Sequence, residues 1–232
     1  MSRRLYELAG ADPARRFSPY CWRTVMALAH KGLEFEGVPW RFTDKDVIAF
    51  SGQGLVPVLI DGERTIADSW QIALYLDTHY PERPLLDSEQ ARGTTYAFKF
   101  WCEQNVHPAL TRIILLDLFA NLHDKDKAYF RESREKRFGM TLEQFGADRP
   151  AGLVALRKAL DSVRQVLVTQ AYIGGAQPGY ADYILFGAFQ WARVMSPARL
   201  LEPDDPMYAW RERMLDLYQG LARNALGYPV WA

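Results

Sequence analysis

The sequence predicts a small α/β unit of order βαβ-ββα followed by a larger all-helical unit. Short apolar, strand-like stretches alternate with helical patterns up to about residue 80, and none is convincing beyond it. The stiff segment Pro81-Glu82-Arg83-Pro84 separates the two patterns. Past residue 88 apolar side chains recur at steps of three and four, the helical period. The expected units are therefore 1–80 and 89–232, joined by a linker at 81–88, and 232 residues suffice for each to bury a core.

Residues 4–8 read as the first strand and 9–16 as a turn-prone loop. A helical pattern follows, with Trp22, Met26 and Ala29 on one face and Val25 and Leu28 beside them. Ser18 is a preferred N-cap, and Pro19 fits the first helical position. That puts the Ser18 hydroxyl beside the unpaired N–H groups of a helix start, where an anion such as a bound thiolate is stabilised. Ser18-Pro19-Tyr20-Cys21 is also the Cys-x-x-Cys pattern with its first Cys replaced by Ser. In a βαβ context it suggests a thioredoxin-like domain without two-thiol redox chemistry.

Lys31-Gly32 stops that helix. Residues 35–42 read as a second strand, 43–54 as a loop with a helical turn, and 56–60 as a short apolar strand. Asp61-Gly62 signals a hairpin returning over 64–67. Asp68 or Ser69 caps the next helical pattern, 70–80, which Pro81 ends. Residues 89–121 predict one long, aromatic-rich helix with a kink at Pro108. The charged stretch 124–137 reads as a solvated helix face. Leu153, Leu156, Leu160, Val163 and Leu167 predict a single amphipathic helix. A helix over 180–195 and one marked by Trp210, Met214, Leu217 and Leu221 complete the chain.

Positive and negative side chains balance at 28 each, so neither nucleic acid nor an anionic membrane is an expected partner. Two cysteines, Cys21 and Cys102, argue against a disulfide framework and for a reducing, cytoplasmic setting. Four scattered histidines offer no zinc spacing, and no metal is expected. Met1-Ser2-Arg3-Arg4 is not followed by an apolar leader core, and no apolar run reaches the ~18 residues of a membrane span.

This order of elements and motifs resembles the cytosolic glutathione transferases along nearly the whole chain. Ser18-Pro19-Tyr20 sits where that family keeps its thiolate-stabilising Ser, Tyr or Cys. Val56-Pro57 looks like its cis-Pro motif, whose preceding backbone pairs with the cysteinyl part of glutathione. Asp68-Ser69 looks like its acidic-Ser pair for the γ-glutamyl group, and Asp182 like the Asp of its helix N-capping box. Gly179 stands where the family usually has the Ser or Thr of that box, a weaker cap. Ser18-Pro19-Tyr20-Cys21-Trp22-Arg23-Thr24, Asp68-Ser69-Trp70 and Arg134-Glu135-Lys136-Arg137-Phe138-Gly139 resemble the branch containing bacterial β-etherases and related fungal transferases.

The resemblance implies glutathione as co-substrate and Ser18 as the catalytic thiolate donor. It implies Val56, Pro57, Asp68, Ser69 and Gln53 as glutathione-binding residues, with Arg41 and Lys45 in the same loop as Gln53. It implies a small apolar electrophile as second substrate, with Tyr20, Phe98 and Trp101 as candidate pocket residues, and a two-fold homodimer. Conjugation, dehalogenation and reductive aryl-ether cleavage are the expected outcomes; the alternative is a non-catalytic glutathione-binding protein. Each residue also has a plain structural reading: Ser18 a cap, Asp68-Ser69 a helix start, Phe98 and Trp101 core, Gln53 surface. Cys21 is either a packed small residue or, in a thiol transferase, the partner of a mixed disulfide; Cys102, among aromatics, reads as core.

Overall fold

The structure is a computed structural model that describes residues 3–229. Strands β1 (Arg3–Leu8), β2 (Glu36–Trp40), β3 (Val58–Asp61) and β4 (Arg64–Ala67) form one sheet of order β2-β1-β3-β4. β1 and β2 run parallel, while β3 is antiparallel to both β1 and β4. The parallel pair requires a crossover, which α1 (Pro19–Lys31) supplies. The β3–β4 turn is the two residues Gly62 and Glu63, and Gly62 takes φ of 62° there. After β2, a 3-10 turn spans Lys45–Ser51. α2 (Ser69–His79) closes this unit. Leu5, Leu59, Val25, Met26, Ile72 and Leu76 make the core beneath it.

The second unit is helical: α3 (Glu89–Trp101), α4 (His107–Ala120), α5 (Asp124–Phe138), α6 (Leu142–Gly146), α7 (Arg149–Ala159), α8 (Asp161–Thr169), α9 (Tyr180–Met195) and α10 (Pro206–Asn224). The mixed sheet with its helices and the all-α unit are the thioredoxin-like and helical parts that the sequence predicts.

Four expectations change. The kink at Pro108 is a π turn over Cys102–Val106, in which the His107 N–H donates to the Cys102 carbonyl five residues back. A proline inside a helix lacks a donor and crowds the carbonyl four residues before it, and a wider turn relieves both. The helix expected across Leu153 to Leu167 is two, α7 and α8, broken at Leu160 with ψ of −5°. The break turns the axis, so that Leu156, Leu160, Val163 and Leu167 all stay buried. α5 is not merely a solvated face, because Asp126 and Phe130 are buried. Asp126 accepts from the N–H groups of Phe42 (3.2 Å) and Thr43 (3.0 Å) and from the Thr43 hydroxyl (2.7 Å). It thereby pins the loop after β2 to the helical unit. Finally, α10 is interrupted at Leu217 to Gly220, where Tyr218, Gln219 and Gly220 have positive φ.

The two units share one continuous core. α1 lies against α9, with Gly187 permitting the approach: a Cβ there would stand 2.4 Å from the Pro19 carbonyl oxygen. Asp77 accepts from the N–H groups of Leu85 and Leu86, both at 2.8 Å, so the connecting segment is tied down rather than loose. In α9, buried Asp182 accepts from the backbone N–H groups of Ile173, Gly174 and Gly179 and from the Trp210 indole. Only half of a capping box forms, since Gly179 contributes its N–H but no side chain. Among the described residues, no helix is long and apolar enough to cross a membrane.

Candidate active site

A cavity of about 1190 Å3 opens between the two units. Ser18, Tyr20, Trp40, Phe42 and Val56 line it from the α/β side. Trp101, His107, Arg112, Phe130, Arg134 and Trp191 are among those lining it from the helical side.

Ser18 is buried between Phe17 and Pro19 and caps α1 with extended φ and ψ of −61° and 127°. Its hydroxyl oxygen accepts from the Cys21 N–H at 3.4 Å, which leaves the hydroxyl hydrogen free to donate. Pro19 has no N–H, and the Tyr20 N–H has no partner among the described residues. A hydroxyl donor, a free N–H and the positive end of a 13-residue helix thus meet at one wall of the cavity.

The Val56–Pro57 bond is cis. The Val56 N–H and C=O make no hydrogen bond among the described residues, while the Pro57 carbonyl accepts from the Asp68 N–H at 3.3 Å. Asp68 is exposed and caps α2, its Oδ1 accepting from the N–H groups of Trp70 and Gln71. Its φ of 74° is strained for a residue with a Cβ, a condition that concentrates at ligand sites. Ser69 is buried, and its hydroxyl has no protein partner. Its carbonyl accepts from the Tyr180 hydroxyl at 2.7 Å, so α9 holds the start of α2.

The remaining sequence candidates are dispersed. Gln53 is exposed and is absent from the cavity wall. Arg41 donates to the carbonyls of Gly10 and Ala11, and Lys45 to that of Gly54. Trp101 lines the cavity; Phe98 stacks on it at 4.9 Å between ring centres but does not itself line the cavity. Cys21 and Cys102 are buried, and burial pushes each thiol up to about 12, so both stay protonated at neutral pH. Among the described residues no group of His, Cys, Asp and Glu could hold a metal.

The structure adds residues that sequence reasoning missed. Arg23, wholly buried in α1, donates to Glu103 at 2.8 Å and lies 4.7 Å from the centre of the Tyr20 ring. Lys99 donates to the other Glu103 oxygen at 3.0 Å. Burial, then Glu103, raises the Tyr20 phenol, which therefore remains a hydrogen-bond donor at neutral pH. His107 meets the rings of Tyr20 and Trp191 edge-on. Burial first, then Arg23 and Lys99, lower its pKa to about 3, so it stays neutral. A signal existed for the helical wall: Phe130, Arg134, Arg137 and Phe138 fall at i, i+4, i+7 and i+8, one face of α5, and all four line the cavity.

A two-layer α/β unit with a Ser-capped helix, a cis-proline and a capped α2 start, set against a helical unit, defines a class that the comparisons identify. The model of the glutathione S-transferase N-terminal domain matches residues 17–79, and that of the C-terminal domain matches residues 94–211. The chain belongs to the glutathione S-transferase family. It is 35% identical over 112 residues to glutathione S-transferase Z2 of Arabidopsis thaliana, covering 46% of this chain and 48% of that one. It is 31% identical over 140 residues to glutathione S-transferase 1 of Dianthus caryophyllus, covering 55% of this chain and 60% of that one. These matches therefore span about half of the relatives' lengths. A glutathione S-transferase of Ceriporiopsis subvermispora, solved in complex with glutathione, superposes with a TM-score of 0.79 at 24% identity, covering 94% of this chain and 96% of that one. At that identity the likeness is one of fold.

Proposed function

We infer that the chain is a glutathione-dependent transferase that holds glutathione as its thiolate and directs it at an apolar electrophile. The observation that carries this reading is the Ser18 hydroxyl, free to donate at the start of α1 and facing the cavity. The fit to glutathione rests on three further features. The unpartnered Val56 backbone is suited to a peptide-like ligand. The Asp68 carboxylate suits an ammonium group. The buried, unpartnered Ser69 hydroxyl beside the start of α2 suits a carboxylate. In this reading residues 1–80 bind glutathione, 81–88 link, and 89–232 supply most of the second-substrate wall, with Tyr20 and Trp101 in it. Gln53 joins the glutathione-binding set from the loop before Val56, and Phe98 acts on the second-substrate pocket through its stack on Trp101.

The chemistry follows from the donors. A free thiol ionises near ~8.5, and a hydroxyl donor with a helix N-terminus lowers that value. The thiolate attacks an electrophilic carbon, a C–S bond forms, and halide or aryloxide leaves with the bonding pair. Conjugation, dehalogenation and reductive aryl-ether cleavage are variants of this step. The β-etherase-like assignment rests on the Ser18–Thr24, Asp68–Trp70 and Arg134–Gly139 motifs. Cytoplasmic detoxification chemistry is the setting this reading fits. A homodimer is part of it: Tyr96 and Phe100 are exposed on α3, one turn apart. Light scattering giving only a 26.6 kDa species would reject the dimer.

The test of the function pairs a calorimetric titration of glutathione with a conjugation assay on 1-chloro-2,4-dinitrobenzene and a panel of aryl ethers. Binding with turnover is the expected result. Binding without turnover on any electrophile would favour the non-catalytic reading, and no binding would overturn both.

A further inference from the structure

The helical wall of the cavity carries more positive charge than it neutralises. Arg112, Arg134, Arg137 and Lys158 all line it. None of the four forms an ion pair among the described residues. The two carboxylates on the same lining are already engaged, Glu103 by Arg23 and Lys99, and Asp161 by Arg164. Arg134 is the most confined of the four. Its guanidinium lies 4.7 Å from the centre of the Phe130 ring and 5.5 Å from that of Phe42, and among the described residues its one hydrogen bond goes to the Ser133 hydroxyl. Burial lowers its pKa, Tyr129 partly opposes this, and Arg137, a like charge nearby, adds to the lowering; no carboxylate takes part. Arg112 stands over Phe145, which stacks on Phe138 at 4.0 Å. A desolvated guanidinium without a counterion is costly, and an arriving oxyanion removes that cost.

We propose that Arg134, with Arg137 near it and Arg112 further along the same wall, forms an anion subsite over an aromatic floor that receives a carboxylate or similar oxyanion carried by an aromatic second substrate. The electrophile is then apolar at its reacting ring and anionic at its far edge. This rests on the transferase reading above for its chemistry, though not for its binding. The same subsite chemistry suits one other source, the glycyl carboxylate of glutathione, and the experiment separates the two.

The probes are 4-chloro-3-nitrobenzoic acid and its methyl ester. In each, the glutathione thiolate adds at the carbon bearing chlorine, the C–S bond forms, the C–Cl bond breaks, and chloride leaves with the bonding pair. The thiol proton has already passed to solvent. Rates are divided by the uncatalysed rate of each compound with glutathione, and compared between wild type, Arg134→Met, Arg137→Met and Arg134→Lys. A charge-assisted contact of this kind predicts that the acid-to-ester ratio of kcat/KM falls roughly 10-fold or more in Arg134→Met. Arg134→Lys, which keeps the charge, recovers part of it, and Arg137→Met guards against a folding defect confined to position 134. Calorimetry of the acid and ester without glutathione reads the subsite independently of turnover. Arg134-dependent binding of the acid with no turnover of either probe would keep the subsite and overturn the transferase reading. An unchanged acid-to-ester ratio in both Met variants would overturn the subsite. A weakened glutathione affinity with that ratio unchanged would also overturn it, assigning Arg134 to the glycyl carboxylate.

Discussion

Removing the Asp126 carboxylate tests whether the cavity floor depends on one clamp between the units. Asp126 is fully buried and accepts three hydrogen bonds, at 3.2, 3.0 and 2.7 Å, all from Phe42 and Thr43. Asp126→Ala leaves the buried Phe42 N–H without an acceptor, at a cost of about 1–3 kcal/mol. The Thr43 N–H and hydroxyl are only part-buried, so water recovers some of their bonding, and their loss adds about 1 kcal/mol. The total, about 2–4 kcal/mol, corresponds to a fall in Tm of roughly 4–16 °C for a chain of this length. Asp126→Asn keeps one acceptor and should fall in between. Phe42 lines the cavity and lies under Arg134, so KM should rise in Asp126→Ala at temperatures where the fold persists. Differential scanning calorimetry with steady-state kinetics reads both effects. A Tm within about 2 °C of wild type for Asp126→Ala, or an Asn variant as damaged as the Ala variant, would show that the Asp126 carboxylate is not the clamp.

The buried Glu7 carboxyl is raised from 4.5 to about 7 by burial, only partly opposed by Arg16. Its folded value lies above its unfolded value, so it binds more protons when folded, and stability falls as pH rises from about 4.5 to about 7, then levels off. The loss is roughly 3 kcal/mol, and Glu7→Gln should flatten that slope in denaturant melts taken across the same pH range. Gly187→Ala would set a Cβ 2.4 Å from the Pro19 carbonyl oxygen and push the start of α1 away from α9. It should cost about 1–3 kcal/mol by urea titration and lower kcat/KM by moving Ser18. Cys21→Ala should keep conjugating activity, because a buried thiol pushed up to about 12 contributes little nucleophile; abolished turnover would revive the thiol-transferase reading.

The parts legible in the sequence are those fixed by local chemistry. Ser18-Pro19 is a cap followed by a first-turn proline, Gly62 sits in a two-residue hairpin turn, and α9 begins and ends where its apolar run does. The strand and helix order of the first unit followed from such signals. What escaped depends on distant partners. Leu153 to Leu167 keep a helical period whether or not the axis turns at Leu160, so periodicity alone does not reveal the break. The charge of α5 masked Asp126, whose partners lie 83 and 84 residues away in sequence. Arg23 and Glu103 meet across 80 residues, and His107 owes its neutrality to burial that tertiary packing creates. The unneutralised cavity wall is likewise a property of which carboxylates are already engaged, information that composition with 28 charges of each sign conceals.

In the proposed reading Ser18 and the start of α1 hold glutathione as a thiolate. The most direct test is the ultraviolet thiolate absorbance of bound glutathione against pH, in wild type and in Ser18→Ala. As a cap alone, Ser18 is worth about 1 kcal/mol of stability, and its loss leaves the titration unmoved. As a donor to the thiolate, its loss shifts the bound thiol upward toward the free value of ~8.5 and lowers turnover by ~10². The expected result is that upward shift with glutathione affinity little changed, and partial residual stabilisation from the helix start that remains. Superimposable titration curves with equal turnover would contradict it and leave Ser18 a helix cap.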